Sequence, residues 1–121
     1  MVEVPITPID VDGDVFSPAN LYEFDMVSIN PLAYYIDYDK SVTDLSVTVA
    51  GNWATGRNVA AINYPGIDSN FRRVMYSVVN ANITSLDLRL GAQNGSSASN
   101  NRRKSLYFGT FVYQNSFLSL N

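Results

Sequence analysis

The sequence predicts an all-β domain, an antiparallel β-sandwich or jelly-roll-like fold of about seven strands. Three observations lead there. Apolar residues recur with a period of two in several short runs, turn-forming Gly, Pro and Asn residues separate those runs, and no stretch shows a secure helical period. At 121 residues the chain matches one core-forming unit, and its 46% apolar content, with eight Tyr and six Phe, can fill that core.

Residues 1–20 carry Pro5, Pro8, Gly13 and Pro18 in an irregular pattern and read as an extended N-terminal arm, leaving 21–121 as a single β-sandwich domain. Tyr22, Phe24 and Met26 alternate with Glu23 and Asp25, which predicts a half-buried strand with the aromatics inward, ending at Asn30-Pro31. Residues 32–38 form the next strand. Leu45, Val47 and Val49 alternate with Ser46, Thr48 and Ala50 up to Gly51-Asn52, the clearest strand of the chain. Gly51 to Gly56 reads as a loop carrying Trp53, and 57–64 as a strand stopped by Pro65-Gly66. Residues 71–79 fit helical spacing at Phe71, Val74, Met75 and Val78, but their Val and Tyr content favours a strand. A strand over 83–90, a mobile Gly/Ser/Asn loop over 91–101 and a central strand over 105–113 complete the reading, followed by an apolar tail at 115–121.

Composition narrows the chemistry. Without Cys or His the chain cannot form disulfides, thiolate nucleophiles, Cys/His zinc sites or Ser-His-Asp triads. Asp37 and Asp39 share a strand face, yet a small sandwich offers little depth for a two-carboxylate cleft, so no enzymatic activity is expected. No cofactor is expected either. No apolar run nears the roughly 18 residues of a membrane span, and Met1 to Ile6 lacks the basic, then apolar, pattern of a leader, so synthesis in the host cytoplasm is expected.

Asp10, Asp12 and Asp14 around Gly13 resemble a calcium loop, but the glycine and the closing glutamate of that pattern are missing from their places, and an acidic solvated turn is the expected reading. Trp53 with Tyr64 offers an aromatic platform for a sugar ring. Asn82 and Asn94 head glycosylation-type triplets that read as chance matches.

Charge is divided unevenly. Residues 1–44 carry a net −8 and residues 45–121 a net +5. Charged residues are only 16% of the chain, with two Glu and two Lys against thirteen Asn and thirteen Ser, a surface style suited to being covered by neighbours. The basic cluster Arg72, Arg73, Arg102, Arg103 and Lys104, together with apolar Phe117, Leu118 and Leu120, is therefore the candidate assembly interface. The expected role is that of a non-enzymatic structural subunit of a large assembly, a small virion protein such as a bacteriophage capsid decoration or cement protein. Its partners would be copies of itself or a major capsid protein, with neither membrane nor nucleic acid involved, given a sequence pI near 4.6. A carbohydrate-binding or lectin-like module is the alternative, with a glycan as ligand.

Overall fold

The structure, a computed structural model, describes residues 3–9, 11, 13–14, 21–61, 71–94, 105–109 and 116–120. Among them lie ten strands and no α-helix: β1 (Glu3–Ile9), β2 (Gly13–Asp14), β3 (Leu21–Ser28), β4 (Tyr34–Asp39), β5 (Leu45–Ala50), β6 (Trp53–Asn58), β7 (Ser77–Ala81), β8 (Leu88–Asn94), β9 (Ser105–Tyr107) and β10 (Ser116–Leu120), with a 3-10 turn at Phe71–Val74. They build an all-β antiparallel sandwich, as the alternation predicts. One sheet runs β10-β4-β7-β1-β9; the other runs β5-β6-β3-β8, with short β2 beside the start of β3 on the β6 side. The chain crosses between the sheets repeatedly, with β2–β3, β5–β6 and β9–β10 as consecutive strands that stay within one sheet, so each layer is stitched from distant parts of the chain.

The core between the layers holds Ile6, Ile36 and Val78 from one sheet and Val27, Leu45 and Ala54 from the other, with Val11, Ile29 and the ring of Tyr76. Two asparagines tie this core together. Asn80 on β7 accepts from the Asn30 backbone N–H (2.8 Å) and donates to the Ser28 carbonyl (2.9 Å), joining the two layers. Asn58, fully buried at the end of β6, accepts from the N–H groups of Ala60 (3.1 Å) and Ala61 (2.8 Å) and donates to the Val11 carbonyl (3.2 Å). At the far side Thr7 donates to the Gly109 carbonyl (2.7 Å), which leaves Ser77 as the donor in the 2.7 Å hydroxyl pair between them. These four buried side chains thus find partners across the fold.

Several expectations need correcting. Residues 3–9 are not an arm: β1 pairs with β7 through Glu3–Ile6 and with β9 through Thr7–Ile9, and Ile6 and Thr7 are fully buried. Pro5 and Pro8 signal a loop because proline cannot donate to a ladder. Here each half of β1 carries a single ladder, so a proline can turn its donorless nitrogen to the side without one. The tail is likewise built in, for β10 pairs with β4 from Ser116↔Asp39 to Leu120↔Tyr35.

Along β3 the faces are reversed from expectation. Leu21, Glu23, Asp25 and Val27 point inward and are buried, while Tyr22, Phe24 and Met26 lie half-exposed outside. A shift of one residue exchanges every side chain between faces. The inward set carries Leu21 and Val27 and is continued by Ile29, and it meets the smallest residues of β6, since Val27 faces Ala54 and Asp25 faces Gly56. The fit of small against large sets the register, and the two carboxylates follow it inside.

Other boundaries move less. Trp53 opens β6 instead of sitting in a loop, because Gly51, at φ 57°, allows a two-residue hairpin turn with Asn52. That turn draws the strand predicted over 57–64 back to end at Asn58. Residues 71–79 divide into the 3-10 turn and β7, and the strand expected over 83–90 lies at 88–94, taking Gly91–Asn94 from the predicted loop. The strand expected over 105–113 is seen as β9, with 110–113 outside the described residues.

Tyr76 sits immediately before β7 with its ring fully buried, and its hydroxyl donates to the Asp25 carbonyl. Burial, and then the neighbouring Asp25 charge, push the phenol well above its ordinary value. The neutral ring's contribution is intact below about pH 10 and falls as the pH rises further, where the unfolded chain releases the proton and the folded chain holds it. Chemical denaturation between pH 9 and 11 should therefore show Tyr76→Phe losing less stability on the alkaline side than the parent chain. Equal slopes would place the alkaline loss on other groups.

Candidate interaction face

The sheet β5-β6-β3-β8 turns a continuous surface away from the core. Cross-strand partners share a face in an antiparallel sheet. The ladders therefore align Ala50, Trp53 and Ser28, then Thr48, Thr55, Met26 and Arg89, then Ser46, Arg57, Phe24 and Gly91, with Tyr22 at the end of the central row. An aromatic and methionine stripe on β3 thus runs down the middle, with Trp53 and Arg57 on one flank and Arg89 on the other.

Local contacts hold these side chains in place. The Arg89 guanidinium lies 4.4 Å from the centroid of the Trp53 ring, spanning β3 to reach it, a cation–π arrangement that fixes both. Phe24 lies across β8 at Gly91, where an added Cβ would stand 2.6 Å from the ring carbon Cζ. Glycine there lets the ring lie down on the neighbouring strand. Tyr22, Arg57, Asn58 and Val59 surround a depression of about 270 Å³, and Val4, Ile83, Thr84, Ser85 and Leu86 surround another of about 230 Å³. Both fall below the roughly 300 Å³ at which pockets begin to enclose a small molecule. What the face offers is breadth.

Its electrostatics follow from the inverted β3. Glu23 and Asp25 point into the sandwich, while Arg57 and Arg89 stay exposed, so the twelve ladder positions named above hold two cations and no anion. The chain as a whole carries −3. Of the nine acids in residues 1–44, Glu23, Asp25, Asp39 and Asp44 are buried, so these four add no charge to an outer surface.

The residues singled out in the sequence are dispersed. Arg73 points back into its own chain, its Nη1 donating to the Val42 carbonyl (3.1 Å) and standing 4.0 Å from Asp44, while the Asp44 N–H donates to the Arg73 carbonyl (2.8 Å). One base of the expected interface is thus drawn toward an acid of the other half, at an exposure where the pair contributes about 0–1 kcal/mol. Arg72 is partly buried in the same turn. Arg102, Arg103, Lys104, Asp10, Asp12 and Tyr64 lie outside the described residues, as does the side chain of Asp14. Among the described residues no group of three acidic side chains gathers as a metal site. The backbones of Phe117, Leu118 and Leu120 stand on β10 opposite Tyr38, Asp37 and Tyr35, on the sheet away from the aromatic stripe. Asp39 is buried and accepts from the Ser41 hydroxyl (3.0 Å), and its carbonyl accepts from the Thr43 N–H (3.0 Å), a turn-forming arrangement. Trp53 is the one predicted site residue that the structure places on the face, and Arg89 occupies one side of its ring.

Tyr22, Phe24, Met26, Arg57 and Arg89 were not legible as a group. They come from three strands whose pairing skips along the chain, and the signal that could have joined them is the row of even positions on β3 that the acids next to it concealed. The fold and face define a β-sandwich with a broad aromatic, arginine-flanked surface. No protein-family model, curated protein or solved structure matches the chain.

Proposed function

We propose that the chain is a non-enzymatic structural subunit of a large protein assembly, a small virion protein of the capsid-decorating or cementing kind, and that it docks through the outer face of β5-β6-β3-β8. The composition of that face carries the reading. Tyr, Trp, Phe, Met and Arg are the residues enriched at protein interfaces, whereas Lys, Glu and Asp are depleted there, and the twelve positions hold the first group without the second, the exposed Asp87 standing at their margin beside Ser28. Rings held by Arg89 and Gly91 are already ordered, so little side-chain freedom is lost on docking. The partner's surface would be acidic around an apolar centre, matching Arg57 and Arg89.

The test is the native mass of the chain by light scattering, alone and in the lysate in which it is made with its neighbours. A particle far above 13.4 kDa is expected for the parent. Arg57→Glu with Arg89→Glu should release it, since reversal at a charged contact costs more than the 0–1 kcal/mol of a rim truncation. A parent chain at 13.4 kDa in both samples would remove the assembly reading. If that monomer then bound a glycan array and lost binding with Trp53→Ala, the face would be a sugar platform.

A further inference from the structure

We infer that β5 is a homotypic docking edge, on which the β5 strand of a second copy pairs antiparallel to join the two aromatic sheets into one. This goes beyond the face described above, since it uses the rim of the sheet and names the partner as another copy of this chain.

β5 is the terminal strand of its sheet, and among the described residues its strand partner is β6 alone. The two-residue turn at Gly51-Asn52 makes Ala50↔Trp53 a hydrogen-bonded pair. By alternation Thr48 and Ser46 also bond to β6, which leaves the N–H and C=O groups of Val47 and Val49 directed outward. Leu45 confirms the phase, because its N–H turns away from β6 to the Thr43 hydroxyl (3.1 Å). Edge strands are normally guarded by Lys, Pro, a bulge or an inward charge. The β5 run Leu-Ser-Val-Thr-Val-Ala has none of these, whereas the opposite edge β8 carries Arg89 and Gly91. Val49, on that unguarded rim, is 42% exposed.

The strand is also complementary to itself. Inner faces stay together only if paired residues have the same parity, and a register with Thr48 opposite Thr48 of the second copy satisfies this. Val47 and Val49 then form hydrogen-bonded pairs with Val49 and Val47 of the other copy, giving four hydrogen bonds, while the two Thr48 side chains meet in the closer, non-bonded type of pair. No charge opposes a like charge. The two-fold axis stands perpendicular to the sheet, so the interface is isologous and both aromatic faces point the same way. Edge pairing alone buries little area, and the dimer should be weak in free solution and strengthened when both faces are docked.

Because the chain has no cysteine of its own, a cross-link reads this contact directly. Thr48→Cys should form a disulfide-linked dimer under mild oxidation, and Ser41→Cys, exposed in the turn before β5, should remain monomeric. Thr48→Lys, on the solvent side of the strand, should keep the melting temperature of the parent and weaken self-association in sedimentation by at least about tenfold, through like charges across the axis. A Thr48→Cys chain that cross-links no faster than Ser41→Cys, or a folded Thr48→Lys chain that associates like the parent, would overturn the inference. Arg57→Glu with Arg89→Glu should leave the Thr48→Cys cross-link intact, so the edge and the face fail separately.

Discussion

Gly56→Ala is expected to destabilise the domain by about 3 kcal/mol or more, lowering the melting temperature by about 10 °C or more. In an ordinary strand the same change is mildly favourable, because alanine loses less conformational freedom on folding than glycine. Here the added Cβ would overlap Cδ1 and Cε1 of Tyr76, which is fully buried and anchored through its hydroxyl to the Asp25 carbonyl. The ring has nowhere to retreat, since Val27, Ala54 and Val78 belong to the same core cluster. Two companions separate the causes. Tyr76→Phe should cost about 1 kcal/mol for the lost hydrogen bond, and the double variant Gly56→Ala with Tyr76→Ala should be less destabilised than the two single changes added, because the small residue relieves the overlap. Thermal melts of the parent, Gly56→Ala, Tyr76→Phe, Tyr76→Ala and the double variant decide this, and strict additivity of Gly56→Ala and Tyr76→Ala would show that the ring and Gly56 do not touch.

Asn58→Ala should cost about 3 kcal/mol by a different route. The side chain takes two backbone N–H donors, from Ala60 and Ala61, and satisfies the Val11 carbonyl, all from a fully buried position. Truncation removes three partners at once and leaves Ala61, already at φ 56°, without the bond that helps hold it there. Asn58→Asp keeps an acceptor for both N–H groups but loses the donation to Val11 and buries a charge, so it should not rescue the alanine variant at neutral pH. Urea unfolding at constant m-value measures the difference. A loss under 1 kcal/mol for Asn58→Ala would mean that water replaces the amide.

The parts of this fold that were legible in the sequence are those where local chemistry and tertiary pairing agree. β5 has strict alternation ending in Gly51-Asn52, and its strand lies at the expected residues. β3 likewise occupies its expected span, but its facing was lost, because Glu23 and Asp25 signal solvent while the register of β6 brings them inside. β1 was hidden by Pro5 and Pro8, residues whose cost vanishes once each half of the strand needs only one ladder. The interaction face was hidden by topology. Arg57, Phe24 and Gly91 are neighbours only because β3 lies between two strands made much later in the chain, and no local pattern encodes that.

The placement of β1 also bears on synthesis. Of the ten strands described, Glu3–Ile9 is made before the others, yet its partners are Ser77–Ala81 and Ser105–Tyr107, and the sheet's outermost strand, Ser116–Leu120, follows still later. The first strand must therefore wait, as an apolar segment with unmatched backbone groups, until most of the chain has been translated. Contacts of such long sequence separation slow folding and prolong exposure to wrong partners. Pro5 and Pro8 suit that interval well, for a nascent strand that lacks two donors is a poor template for another chain, while the finished sheet accommodates both rings without penalty.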